Sequence, residues 1–166
     1  MATRAKTKPR ASAARSSARK PVAKSRSKPA RPKATRAKAR PKHAFTFSHF
    51  READFNTGLR SYAHYRDLGI AKATNGMAIA HVVRFVPPCD PKVVSKEHHH
   101  DVDFQMVYVL KGWIKTQFEG QGAHTMKAGS AWLQPPNIKH KVLDYSDDCE
   151  VLEIVLPADF KTIELE

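Results

Sequence analysis

The sequence has only two cysteines, Cys89 and Cys149, among its 166 residues. Two cysteines are too few for the disulfide framework of a small exported domain, so we expect reduced thiols. The sequence also lacks the run of roughly 18 apolar residues that a membrane-spanning helix needs. Its basic N-terminal stretch lacks the apolar core of a secretory signal. We therefore expect a cytoplasmic protein that has no membrane partner.

Acidic residues are absent from residues 1–42, which hold 16 of the 29 Lys and Arg residues but none of the 16 Asp and Glu residues. The rest of the chain carries 13 basic and 16 acidic residues, a formal net charge of −3. The net charge of +13 for the whole sequence therefore belongs to this first stretch. The remainder has the charge balance of an ordinary globular domain.

The same N-terminal stretch is rich in Ala, Lys, Arg, Ser and Pro and has almost no large apolar side chains. Such a segment cannot bury enough apolar surface to offset the entropy of ordering, so residues 1–43 are predicted to be a disordered tail. Its charge suits non-specific contact with nucleic acid through residues 1–42. The alternatives are a tail that only keeps the protein soluble, or a misassigned start codon.

Short strands and turns fill the rest of the sequence, without a long helical pattern. Asn75-Gly76 is a strong turn signal, and alternating apolar residues follow it. The predicted strands cover residues 77–86, 113–118, 130–134, 138–145 and 149–156. This pattern predicts an all-β domain over residues 44–166.

A histidine cluster stands out at the centre of this domain. His98 and His100 are two residues apart and project from one face of a strand, where two imidazoles can bind the same divalent metal. Gln105 follows after four residues and Gly112 after six more. The odd step from His100 to Gln105 would put them on opposite faces, so we expect a turn or bulge after Asp101.

A second stretch, residues 129–144, places Gly129, Pro135, Asn137, His140 and Asp144 at fixed offsets. Together, the two stretches resemble the paired motifs of the cupin superfamily, H-x-H-x(3,4)-E-x(6)-G and G-x(5)-P-x-G-x(2)-H-x(3)-N. The resemblance implies a single-domain, RmlC-like jelly-roll barrel, a double-stranded β-helix. It also implies a metal site formed by His98, His100 and His140, with Gln105 in the place of the carboxylate ligand.

The sequence departs from the family pattern at four positions. Lys92 stands where the first motif opens with Gly, and Gln105 replaces Glu. Asn137 replaces Gly, and Asp144 replaces Asn. We expect Asn137 to adopt the left-handed conformation that follows Pro135-Pro136, because Asn tolerates it.

Gln105 is the departure that bears on chemistry, because an amide oxygen can bind a metal but brings no negative charge. A divalent ion there would keep its full charge, which favours an anionic or chelating substrate. We expect Fe(II), Mn, Ni or Zn, and a metal-dependent enzyme of the dioxygenase or isomerase type. The alternatives are a non-catalytic cupin that senses a metal or ligand while its tail contacts nucleic acid, and a structural barrel without a metal.

Two further expectations concern the surroundings of the site. Candidate substrate-pocket residues are His81, Tyr108, Trp132 and Gln134. Met106, Tyr108 and Leu110 are apolar on the face opposite Gln105 and need a cover. The N-terminal segment 44–70 or a second subunit could provide it, and we predict a homodimer.

Overall fold

The computed structural model of the protein describes residues 42–165. The predicted disordered tail, residues 1–43, therefore lies outside the described residues, apart from Lys42 and His43. Residues 42–51 form no helix or strand, and a 3-10 turn covers Glu52–Asp54. Neither short helix of the described part has the length or apolar content needed to cross a bilayer.

Eleven strands and two one-turn helices make up the described part of the chain. The strands and helices lie, in order, at β1 Asn56–Thr57, β2 Ala63–Asp67, α1 Ile70–Ala73, β3 Ile79–Phe85, α2 Pro91–Val94, β4 His98–Asp101, β5 Phe104–Lys111, β6 Trp113–Phe118, β7 Gly122–Lys127, β8 Ala131–Leu133, β9 His140–Tyr145, β10 Glu150–Leu156 and β11 Lys161–Glu164. The predicted all-β class is confirmed.

The strands form two antiparallel sheets. The six-stranded sheet has the order β1-β2-β3-β10-β5-β8, and the five-stranded sheet has the order β11-β4-β9-β6-β7. From β3 onwards, every connection between successive strands except β6–β7 passes from one sheet to the other, as in a jelly roll. The predicted double-sheet barrel is therefore confirmed.

The hydrophobic core lies between the two sheets and follows the period of two along the strands. Val107 and Val109 of β5, Ile114 and Phe118 of β6, and Val151 of β10 are buried in it. Predicted strand 77–86 corresponds to β3, whose Val83 and Phe85 join the same core. The inward face of each strand is thus the apolar one, and polar residues on that face need a separate explanation.

The expected break between His100 and Gln105 is present. β4 ends at Asp101 in the five-stranded sheet, and β5 begins at Phe104 in the six-stranded sheet. The chain crosses from one sheet to the other at Val102-Asp103. His100 and Gln105 therefore face the same interior from opposite walls.

Strict alternation along β9 would put Asp144 on the same face as His140. In the structure, Asp144 lies on the opposite face. A bulge in the β6–β9 pairing leaves Leu143 unpaired, because Lys115 opposes Asp144 while Thr116 opposes Val142. The extra residue reverses the alternation, so that Asp144 is exposed and Tyr145 is buried.

Two motif positions have a clear backbone role. Asn137 has φ +60°, which confirms the expected left-handed conformation. Gly112 has φ +65° at the turn from β5 to β6, and a Cβ there would lie 3.1 Å from Cα of Cys149 and collide with the Ser146 side chain. The motif glycine is thus required by both conformation and space.

At Lys92, where the first motif opens with Gly, the chain forms α2. The Asp90 side chain accepts a hydrogen bond from the Lys92 backbone N–H at 2.9 Å, and Pro91 occupies the first turn. The capped turn requires no glycine. The replacement of the motif glycine by Lys92 therefore accompanies a different local backbone conformation, a capped helical turn.

Candidate metal centre

Three histidines converge between the sheets. His98 on β4 is paired directly with His140 on β9, and His100 lies two residues along β4. Their ring centroids are 4.2 Å (98–140), 5.1 Å (98–100) and 5.2 Å (100–140) apart. One ligating nitrogen from each lies within 4.8 Å of the others. This spacing suits three donors around one ion.

Each of the three imidazoles is fixed through its Nδ1 atom. Nδ1 of His98 donates to the Lys96 carbonyl at 2.9 Å, and Nδ1 of His140 donates to the Ile138 carbonyl at 2.9 Å. Nδ1 of His100 lies 2.9 Å from Oγ1 of Thr162 on β11. The two carbonyl acceptors set the tautomer of His98 and His140 and leave Nε2 of each with a lone pair for a metal, whereas the Thr162 hydroxyl orients the His100 ring and can donate or accept.

The histidines are uncharged at neutral pH; His98 and His140 are buried and His100 is partly buried. Burial lowers the pKa of His98, His100 and His140 to about 4 each. A neutral imidazole has the free lone pair that coordination requires, so no proton competes at pH 7.

Gln105 also faces the interior, from β5 across the barrel, and is only 2% exposed. Its Nε2 donates to Oε1 of Glu153 at 2.6 Å, and its Oε1 accepts from Nε2 of Gln134 at 2.9 Å. Nε2 of Gln134 also lies 3.0 Å from Nε2 of His140. Gln105 is thus connected to the histidine cluster through Gln134.

Glu153 on β10 is a partly buried carboxylate, with 18% of its side chain exposed, that sequence reasoning missed. Its Oε2 accepts from Nε2 of His81 at 2.5 Å. Burial alone would raise the pKa of the Glu153 carboxyl, but the hydrogen bonds and charge of His81, then the hydrogen bond from Gln105, hold that pKa below its usual value. A negative charge therefore lies beside the cluster, one hydrogen bond behind Gln105.

The signal for Glu153 was present in the alternation of β10. Val151 and Val155 are buried core residues, and Glu153 occupies the same face between them. A charged residue among inward-facing apolar residues needs a partner. His81 is likewise a polar residue on the inward, otherwise apolar face of β3. Thr162 could not have been found in this way, because strand β11 is short and its pattern is weak.

The cluster lies in a cavity of about 490 Å³ between the sheets. His81, Trp132 and Gln134, three of the four predicted pocket residues, line it together with the three histidines and Gln105. The volume is in the range of small-molecule sites.

Tyr108 does not line the cavity, so that prediction is wrong. Gln105 and Val107 point inward from β5, and Tyr108, as the next residue, points to the outer face with 38% of its surface exposed. The period of two along a strand excludes it from the interior.

Comparisons with known proteins agree with this geometry. A family model, the cupin domain, matches residues 89–155, the stretch that contains the three histidines and Gln105. The match and the fold together mark residues 89–155 as a cupin domain. A search of curated proteins finds no significant match.

Several solved structures share the fold. KdgF from Halomonas sp. is 20% identical, with a TM-score of 0.52 over 66% of this chain and 94% of that one. The polyketide cyclase RemF from Streptomyces resistomycificus is 15% identical, with a TM-score of 0.55 over 72% and 86%.

Oxalate decarboxylase from Bacillus subtilis is 15% identical, with a TM-score of 0.55 over 81% of this chain and 34% of that one. This chain therefore spans about a third of that enzyme's length. At these identities, all three likenesses establish the fold alone.

The contact between Gln105 and Glu153 predicts a cost for restoring the family's glutamate. In Gln105→Glu, two buried carboxylates would face each other where a 2.6 Å hydrogen bond now lies. We expect the metal-free protein to lose about 3 kcal/mol of unfolding free energy at pH 8. The loss should shrink towards pH 5, because the repulsion raises the pKa of one carboxyl and its protonation relieves the cost.

Urea denaturation at the two pH values measures this effect. Gln117→Glu, on the exposed face of β6, is the matched control and should change stability little at either pH. A Gln105→Glu protein as stable as that control at pH 8 would show that the two side chains do not share a buried contact.

Proposed function

We propose that this cupin is a metal-dependent enzyme. Nε2 atoms of His98, His100 and His140 would hold a divalent transition metal, Fe(II), Mn, Ni or Zn. The observation that supports this most is the convergence of three neutral, pre-oriented imidazoles in a cavity that a small molecule can enter. Three protein ligands leave coordination positions for a substrate, as a catalytic site requires.

Gln105 and Gln134 would lie beside this metal. Nε2 of Gln134 now donates to Nε2 of His140, so the amide occupies the lone pair that a metal would use and must turn away when one binds. Gln105 would serve either as a fourth ligand through Oε1 or as a hydrogen-bonding neighbour of the ligands. In both roles, the hydrogen bond from Nε2 of Gln105 to Glu153 would fix the orientation of the Gln105 amide group.

The reaction we propose is of the dioxygenase type, with isomerisation as the alternative chemistry. A bound metal would supply Lewis acidity and, as Fe(II), the ability to activate O₂. The protein's own residues would orient a small anionic or chelating substrate in the cavity. Trp132 and Val107 line the apolar part of that cavity, and His81 and Gln134 offer polar contacts.

Elemental analysis of untagged protein, followed by anaerobic reconstitution with Fe(II), tests the site. His98→Ala, His100→Ala and His140→Ala should each lower metal affinity by more than about 100-fold. Loss of a residue that only hydrogen-bonds to a metal ligand already lowers metal affinity about 10–100-fold, and loss of the ligand itself should cost more. His124→Ala, in an exposed position on β7, is the control and should retain the metal.

The same preparations test the reaction. The Fe(II) protein should consume O₂ with a diketone, a thiol or a phenolate, and the three alanine variants should not. Full metal content in these variants would refute the site, whereas bound metal without O₂ uptake would refute the dioxygenase assignment.

A second candidate is a non-catalytic cupin that senses a small ligand or metal while residues 1–42 contact nucleic acid in the cytoplasm. The observation that favours it is the charge of that stretch, with 16 basic and no acidic residues. Contact of this kind would be non-specific and sensitive to salt.

Gel retardation of duplex DNA tests the second candidate. The full chain should retard DNA at low salt with a Kd of about 10⁻⁴ to 10⁻⁶ M at physiological salt, and deletion of residues 1–42 should abolish the shift. Persistence of the shift without these residues would contradict the proposed role of the tail.

We also propose a homodimer that forms through the outer face of the six-stranded sheet. Phe104, Tyr108 and Leu110 of β5 and Leu133 of β8 are 37–59% exposed there. Met106 pairs with Leu133 across the two strands, so the patch is continuous. The segment before β1 leaves these side chains exposed, which favours a second copy as their cover.

Sedimentation velocity at micromolar concentration should give a species of about 37 kDa, twice the 18.6 kDa chain. Leu133→Glu should shift it towards the monomer, because a charge in an apolar interface is costly. Thr125→Glu, exposed on β7 in the other sheet, should leave it unchanged. A single 18.6 kDa species for the unaltered protein would exclude the dimer.

A further inference from the structure

Arg60 lies in the wall of the cavity that contains the three histidines. It belongs to the turn between β1 and β2, and its carbonyl accepts the Ala63 N–H at 3.2 Å. The neighbouring Tyr62 carbonyl accepts the Val86 N–H at 2.9 Å, which ties the turn to the end of β3. The side chain of Arg60 is only 10% exposed.

The two ends of its guanidinium have different surroundings. Nη1 is paired with Oε1 of Glu164, whose side chain is 53% exposed at the end of β11. Nη2 is fully buried and has no hydrogen-bond partner among residues 42–165. Because arginine cannot lose its charge in a protein, a buried guanidinium nitrogen without an acceptor requires an explanation.

The charge of Arg60 acts on the histidine cluster. Burial is the larger cause of the low pKa of His98 and His140, and the positive charge of Arg60 lowers it further. A ligand in this cavity would therefore be near both the guanidinium and the imidazoles. The remaining wall is largely apolar and includes Tyr62, Phe85, Trp132 and Phe160.

We propose that Nη2 of Arg60 binds the carboxylate of a small organic acid with an apolar body. This assignment rests on the proposed function, because it takes the cavity as the substrate site. A carboxylate supplies the missing acceptor and a charge complementary to the guanidinium. The aromatic and aliphatic wall would bury the rest of the molecule.

A carboxylate fits these surroundings better than a phosphate. Glu164 already occupies one side of the guanidinium, and Glu153 places a second negative charge in the cavity. A doubly charged anion would be repelled by both. The single charge of a carboxylate meets less of this repulsion.

Calorimetric titration of the full chain tests the proposal. The probes are benzoate, phenylacetate and 2-naphthoate, each compared with its neutral amide, at pH 7.5. We expect at least one acid to bind about ten-fold more tightly than its amide. Arg60→Met should bring that ratio close to one, and Arg60→Lys should retain part of it. Arg51→Met, whose side chain is 76% exposed, should keep the ratio.

Glu164→Gln provides a test that does not depend on removing the arginine. It removes the competing negative charge while keeping an amide oxygen that can accept from Nη1, so the preference for acid over amide should increase. A role of Arg60 that is only structural would instead make this variant neutral or harmful. An unchanged or smaller ratio in Glu164→Gln, or a full preference in Arg60→Met, would overturn the proposal.

Titrations of metal-free and Zn²⁺-loaded protein separate this proposal from the proposed function. If the protein binds no metal but still prefers acids through Arg60, the metal site fails and the carboxylate site stands. If it binds Zn²⁺ and no acid is preferred over its amide in either form, the carboxylate site fails alone. Zn²⁺ content of Arg60→Met should equal that of the unaltered protein.

Discussion

The pairing of His98 with His140 is the contact on which the arrangement of the site depends. It is the single residue pair that joins β4 to β9 in the five-stranded sheet. The pairing brings together two segments that lie far apart in sequence. His100 then points towards the same centre, because it lies on the inward face of β4 together with His98. Each imidazole is then held by a hydrogen bond at Nδ1, which is possible only in the folded backbone. Local strand geometry thus fixes three nitrogen donors with little freedom left.

A chain of buried polar side chains crosses the barrel behind this cluster. His81 contacts Glu153, Glu153 contacts Gln105, and Gln105 is linked through Gln134 to His140. The residues come from β3, β10, β5, the end of β8 and β9, so the chain spans both sheets. Since each member has a partner, the barrel can bury polar groups in a core that is otherwise apolar. The network also explains why Gln105 differs from the family's glutamate, because the carboxylate is already present on the adjacent strand.

The charges of the cavity form a pattern of their own. The histidines are neutral, Glu153 is matched by His81 and Gln105, and Arg60 has a partner on one side only. Positive charge is therefore concentrated at the wall of the cavity near the β1–β2 turn. In an interior of low dielectric constant, such an imbalance selects the charge of a ligand more strongly than it would at a surface. The two residues that set this charge are Arg60 in the β1–β2 turn and Glu164 on β11, and both lie outside the family motifs.

The sequence alone determined the fold class, the break between His100 and Gln105 and the left-handed Asn137, because alternation and turn residues act locally. The two motifs were sufficient to name the three histidines. The tertiary structure added neighbours that the motifs do not contain. Glu153 and Thr162 meet the cluster through pairing between strands distant in sequence, and Arg60 reaches it from a turn without periodicity. The bulge at Leu143 and the outward position of Tyr108 likewise depend on register, which is set by neighbouring strands and cannot be read from one strand's own residues.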